Sequence, residues 1–153
     1  LACLLNDELC KNNDDCLFVT LIAGLLHLPT RSFSFVNAGH LPPLLLRTTG
    51  AVEIDCVVDP PIGAMETSAY RDNELTLQAG EALVFITDGL SEMEDVDCKM
   101  YSTTRLLRDL DEVPRADAQS IVEHLVSRVF AHSGDVRQFD DVTVLALRPG
   151  SGA

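Results

Sequence analysis

The sequence predicts an α+β domain, an antiparallel sheet with helices packed on a face. Three features predict it. About six or seven short apolar runs follow one another, most joined by connections rich in turn residues. Helical spacing opens the chain and returns near its end. The length of 153 residues suits one domain with its own core.

The elements follow in order. Leu1, Leu4, Leu5 and Leu9 fall at helical spacing. No Ser, Thr, Asp or Asn precedes them as an N-cap, so the chain is expected to be a piece of a longer one, beginning inside or just before a helix. "KNNDD" (11–15) is a polar break. "LFVTLIAGLLHL" (17–28) reads as one long strand. Pro29-Thr30-Arg31 turns it back into "SFSFVNAG" (32–39), whose alternation puts Phe33 and Phe35 on one face. "PPLLLR" (42–47) and "VEIDC" (52–56) form a second pair around Thr48-Thr49-Gly50-Ala51, where Gly50 suits a positive φ. "VVDPPIGAMETS" (57–68) is a Pro-rich loop. "RDNELTLQAGEALVFITD" (71–88) reads as a third hairpin turning at residues 78–81. Its second strand is apolar on both faces, which marks it as central.

The acidic stretch "SEMEDVDCK" (91–99) reads as a loop. Leu106, Leu107 and Leu110 mark a short helix. Ala118, Ile121, Val122, Leu125, Val126, Val129 and Phe130 mark a longer one, with Asp117 as its cap and Gly134 just past its end. "DDVTVLAL" (140–147) is a last strand that opens on two acids. The tail 149–153 is expected to be disordered.

Composition excludes several classes. Acidic residues number 24 against 11 basic ones, a net charge of −13, which disfavours a nucleic-acid surface and suits cations or basic partners. No apolar run reaches the ~18 residues of a membrane span, and no signal peptide is visible. The five cysteines are odd in number and include no C-x-x-C, so neither a zinc site nor a disulfide framework is expected. Buried or half-buried thiols in a reducing cytoplasm are expected instead.

Asp88 ends the apolar run "VFITD", and Asp140 and Asp141 open another. Two readings compete. In one, these acids are strand-boundary chemistry, and Gly89 turns the chain. In the other, neighbouring antiparallel strands bring the carboxylates together at one end. Close like charges are costly without a cation. Oxygen-only ligation suits Mg²⁺ or Mn²⁺, which would polarise a phosphoryl oxygen or acidify a bound water.

"FVNAGHLPPLLL" (35–46), "PIG" (61–63), "FITDGLSE" (85–92) and "DDVTVLAL" (140–147), in this order and spacing, resemble the PPM class of metal-dependent serine/threonine phosphatases (protein phosphatase 2C-like). The branch they resemble is that of the stage II sporulation E phosphatase and the regulators of stress sigma factors. The resemblance covers nearly the whole chain, and residues 1–148 are read as a partial phosphatase domain. It implies an antiparallel β-sandwich flanked by helices. It implies that Asp88 and Asp140 ligate metal and that Asp141 supports them. It further implies two Mn²⁺ or Mg²⁺ ions and a metal-activated water, so no side chain is a covalent nucleophile. The implied substrate is phosphoserine or phosphothreonine on a small regulator, such as a STAS-type anti-anti-sigma factor, in bacterial partner-switching signalling.

The departures carry expectations of their own. The branch has an upstream "G-D-x-S-G-x-G" element whose aspartate bridges the metals. It does not occur here, and Gly134-Asp135-Val136-Arg137 does not supply it. Weak metal binding and little turnover are therefore expected of this chain. Sheet edges left open invite pairing between copies, so a homodimer is expected. His40 either touches phosphate or orders the loop before Pro42-Pro43. His27, His124 and His132 read as strand or helix surface. Cys98 sits among acids, a poor setting for a thiolate nucleophile. The acids from Glu92 to Asp97 are either a solvated loop or a flap beside the metal site. The rival to the enzyme is a degenerate module that binds a regulatory partner without catalysis. Another two-metal enzyme, such as a nuclease, sits poorly with the acidic surface.

Overall fold

The computed structural model describes residues 1–11, 13–113, 117–136, 138 and 140–150. The last three residues of the tail lie outside this set. Two units divide the chain. One holds Leu1–Pro42 and Asp55–Leu77; the other holds Pro43–Ile54 and the chain from Gln78 onward.

In the first unit, α1 (Ala2–Cys10) precedes β1 (Leu21–His27), β2 (Ser32–Ala38) and β5 (Asn73–Thr76). The strands form an antiparallel sheet in the order β1-β2-β5. Alternation in β2 buries Phe33 and Phe35, whose rings stack 4.9 Å apart. Gly24 of β1 pairs with Phe35. A Cβ there would come within 2.7 Å of the Phe33 ring, so only glycine leaves room for the stack.

Of the leucines expected to face the core from the α1 segment, Leu9 alone packs inward. Leu1, Leu4 and Leu5 are exposed, while Ala2 and Asn6 are buried. Asn6 is satisfied on all sides: its Oδ1 accepts from the Gly63 N–H (2.9 Å) and the Tyr70 hydroxyl (3.0 Å), and its Nδ2 donates to the Met65 carbonyl (3.0 Å). A buried amide without partners is costly, so these bonds decide which face of the helix turns inward. Ala2, Ala38 and Ile62 pack there with Leu9, Leu21, Val36 and Tyr70 around them.

The long strand expected over residues 17–28 is shorter. Asn13 captures both backbone groups of Leu17, accepting its N–H at 2.8 Å and donating to its carbonyl at 2.7 Å. Val19 then pairs with Ile62 in an isolated bridge, and the sheet begins at Leu21. Asp59 is buried and takes the Arg71 guanidinium and N–H. Burial opposes its charge, but the Arg71 contacts prevail and hold its carboxyl below the usual range.

In the second unit, β3 (Leu44–Arg47), β4 (Gly50–Glu53), β6 (Ala82–Ile86) and β7 (Val144–Leu147) make an antiparallel sheet in the order β4-β3-β6-β7. β6 is central, and Ala82, Leu83 and Val84 are fully buried. The hairpin expected over 71–88 does not form. Its first strand pairs with β2 and its second with β3 and β7. The turn at Gln78–Glu81 exists, with Gly80 at φ +85. It passes the chain from one sheet to the other instead of folding it back.

The helices of this unit are α2 (Asp88–Ser91), α3 (Thr103–Asp111) and α4 (Ala118–Ser133). Asp117 caps α4 through the Ser120 N–H (2.7 Å), and Gly134 closes it at φ 57. Ile121, Leu125 and Val129 are its buried face; Phe130 is exposed. The Ala51 N–H of β4 donates to the Asp111 carboxylate at the end of α3 (2.6 Å).

None of the five cysteines is in a disulfide; Cys3, Cys16 and Cys98 are exposed and Cys10 and Cys56 half-buried, so none is a core residue. Among the described residues no helix is long and apolar enough to cross a membrane.

Candidate metal centre

β6 and β7 run antiparallel, with Ile86 opposite Val144. The end of one is therefore beside the start of the other, and Thr87 stitches them. Its N–H donates to the Thr143 carbonyl (3.2 Å). Its hydroxyl accepts the Thr143 N–H and donates to the Asp141 carbonyl, both at 2.9 Å.

Asp88 does not end the strand, as expected, but begins the helical turn α2 after the extended residue Thr87. Its carboxylate accepts the Gly89 N–H at 3.0 Å, and its carbonyl accepts from the Glu92 N–H at 2.8 Å. The side chain is exposed. Gly89 is buried within the turn and has no positive φ. A Cβ on it would lie 2.6 Å from the Asp141 carbonyl oxygen and 3.3 Å from the Asp140 carbonyl carbon. Glycine is required by the closeness of the two segments, not by the bend that the sequence suggested.

Asp140 and Asp141 likewise do not open the strand, which starts only at Val144. They lie in the approach to it. Asp140 accepts the Asp141 N–H at 2.7 Å, and its carbonyl accepts from the Gln138 amide at 2.6 Å. Both side chains are exposed.

Asp88 and Asp140 thus stand on two touching segments with their carboxylates open to water. An oxygen-only pair of this kind fits a hard divalent cation, whose shell is completed by water and substrate oxygens. Among the described residues, no group of three or more His, Cys, Asp or Glu forms a complete metal cage.

The acidic stretch after Asp88 folds back on itself. Glu94 bridges Met100, the Tyr101 N–H donates to Met93 (2.8 Å), and the Ser102 N–H donates to Ser91 (2.8 Å). Asp95 accepts the N–H groups of Lys99 and Asp97, which hold its carboxyl below the usual range. Between this loop and Asp140 lies a cavity of ≈ 240 Å³ lined by Gly89, Glu92, Met93, Glu94, Met100 and Asp140. The sequence showed the acids but not the two methionines as walls, because a loop has no periodicity to betray which side chains meet.

A buried network anchors the loop from behind. Tyr101 is fully buried, and its hydroxyl donates to the fully buried Asp109. Arg128 reaches Asp109 at 3.1 Å and Glu112 at 2.9 Å. Burial pushes the Tyr101 phenol far up. Burial also opposes the charge on Asp109, but the hydrogen bonds from Arg128 and Tyr101 outweigh it and hold its carboxyl low. His132 is not plain helix surface. It accepts from the Arg105 guanidinium (2.6 Å) and donates to the Lys99 carbonyl (2.9 Å).

His40 lies in the first unit and orders its own loop. Its Nδ1 accepts the Leu41 N–H (2.8 Å), while the buried Asn37 binds both its N–H and its carbonyl. His27 bonds Thr30, and His124 is half-buried on α4.

Two antiparallel sheets with α-helices match the fold of PP2C phosphatase domains. The PP2C phosphatase domain of SpoIIE from Bacillus subtilis, solved with a fragment of its regulatory domain, superposes with a TM-score of 0.78 at 23% identity, over 94% of this chain and 42% of that one. The catalytic domain of the serine/threonine protein phosphatase PstP, solved with two manganese ions, gives a TM-score of 0.63 at 17% identity, over 92% of this chain and 65% of that one. The model of the stage II sporulation protein E (SpoIIE) family matches residues 1–149, and the chain belongs to that family.

Two curated relatives agree. Protein IcfG of Synechocystis is 27% identical over 145 residues, 94% of this chain and 23% of its own length. Phosphoserine phosphatase RsbP of Bacillus subtilis is 27% identical over 128 residues, 83% of this chain and 30% of its own length. The chain therefore spans less than a third of either.

Proposed function

We propose that this chain is part of a cytoplasmic, metal-dependent phosphatase that removes phosphate from serine or threonine of a small regulatory protein. The supporting observation is the juxtaposition of the Asp88 and Asp140 segments across the β6–β7 pair. In this reading Asp88 and Asp140 hold Mn²⁺ or Mg²⁺. A bound ion of this kind would polarise the phosphoryl group and supply an ionised water. The chain's own part is positional. Thr87 fixes the 141–143 backbone, Gly89 lets that backbone come close, and the turn of α2 aims Asp88. Asp141 supports through its backbone, since its carbonyl accepts from Thr87 and its N–H donates to Asp140. No side chain serves as a covalent nucleophile.

The substrate is proposed to be a STAS-type regulator of partner-switching signalling, by analogy with the phosphoserine phosphatase among the relatives. The absence of a third ligand in a described cluster keeps a second reading open, a domain that binds the regulator without hydrolysing it.

Calorimetric titration of Mn²⁺ into this chain and into a longer parent domain, with Asp88→Asn as control, tests the proposal. Each protein is also assayed on a phosphoserine peptide. The proposal stands if the parent binds and hydrolyses while Asp88→Asn abolishes both. If the parent binds no metal and hydrolyses nothing, the non-catalytic module takes its place.

A further inference from the structure

The cavity beside Asp140 has a chemistry that the metal proposal does not use. At ≈ 240 Å³ it is several times the roughly 30 Å³ that a water occupies in the liquid, and it is the size of a long side chain. Its walls are of two kinds. Met93 is buried and Met100 is 57% exposed, so one thioether makes the floor and the other a side. Methionine is flexible and polarisable, and it packs well against methylene stems. Glu92 and Glu94 are the acidic lining that the metal proposal leaves unassigned. Among the described residues neither Glu92 nor Glu94 takes part in an ion pair, whereas Glu8, Glu81 and Glu112 do.

An apolar hole with unpaired carboxylates selects one kind of guest. An acidic side chain is repelled. A purely apolar one leaves the carboxylates without a partner. A long alkyl stem ending in a cation satisfies both walls, as lysine and arginine do when the stem is buried and the head kept polar. The pairing of Glu94 with Met100 and the bond from Tyr101 to Met93 hold the two limbs of the loop side by side before any guest arrives. The Tyr101–Asp109 bond and the His132–Lys99 bond brace the same loop from α3 and α4. Little ordering is then left to be lost on binding.

We propose that this cavity is a specificity subsite that takes a lysine or arginine side chain of the protein substrate, close to its phosphorylated residue. The proposal rests on the phosphatase reading for the phosphate and on the cavity alone for the cation.

The test is fluorescence anisotropy of the 153-residue chain, with Mn²⁺ present, against four labelled peptides. These carry serine or phosphoserine, each with either lysine or alanine at a scanned neighbouring position. At one position the lysine peptide is expected to bind about fivefold tighter, the weight of one partly exposed ion pair. Salt should erode the preference. Glu94→Lys should reverse it, and Met100→Ala should shrink it; circular dichroism checks that both variants fold. If lysine helps but phosphate adds nothing, the cavity proposal stands, and the phosphatase reading is decided by the parent-domain assay. If phosphate helps but lysine helps at no position, or if Glu94→Lys leaves the preference unchanged, the cavity proposal is overturned.

Discussion

Gly89 and Asp141 approach so closely that the smallest side chain would not fit between them: a Cβ on residue 89 would meet the Asp141 carbonyl oxygen at 2.6 Å. The obstacle is backbone, which cannot swing aside as a side chain can. Gly89→Ala is therefore expected to lose about 1–3 kcal/mol, the usual cost of overpacking, in a urea titration. Asp88→Asn, an exposed change next door, should stay within about 0.5 kcal/mol. If the alanine variant is as stable as the parent chain, the close approach is not a constraint.

Thr87 offers a second check on the same junction. Its hydroxyl donates once and accepts once between strand ends. Thr87→Val removes both bonds while keeping the shape, and a loss of about 1–3 kcal/mol is expected. Thr87→Ser should restore most of it. A valine variant with unchanged melting would show that water replaces the hydroxyl at no cost.

Acid should loosen the second unit through Asp109. Its folded pKa lies below the unfolded value near 3.8, so its contribution is present above that pH. The contribution is lost as the pH falls through the folded value, below about 4. Asp59 works in the same sense in the first unit. Urea midpoints are expected to be flat from pH 7 to 5 and to fall below 4. Asp109→Asn removes the charge that Arg128 and Tyr101 bond and should lose about 1–3 kcal/mol at pH 7, with a shallower acid limb. An acid limb unchanged in that variant would remove Asp109 from the account.

The edge of the first sheet predicts association. β1 has neither charge nor proline along Leu21–His27, and Leu25 is 80% exposed. Natural edges are usually blunted by such residues. Sedimentation at rising concentration is expected to show a dimer, and Leu25→Lys to abolish it. A monomer throughout would end the expectation.

Much of this was legible because hydrophobic pattern and capping act locally. Asp117 and Gly134 bound α4 as their chemistry dictates, and the apolar strands around Asp88 and Asp140 do pair antiparallel. What stayed hidden is non-local. Residues 71–88 look like a hairpin because a turn between two strands says nothing about which sheet each strand joins. The leucines of α1 look like its core face, yet Asn6 turns inward because distant groups at Gly63, Met65 and Tyr70 satisfy it. Gly89 looked like a bend because its crowding comes from a segment some fifty residues on.

The passage at Leu77–Gln78 is one of several crossings between units, since Pro43–Ile54 also belongs to the second unit while its flanks belong to the first. The two units are interleaved along the chain. A single cut between residues 43 and 77 leaves neither unit whole. During synthesis the β3–β4 hairpin emerges before β5 exists to finish the first sheet, and it waits longer still for β6. A ribosome-bound chain arrested between β5 and β7 would carry a complete β1-β2-β5 sheet beside a second sheet still lacking its last strand.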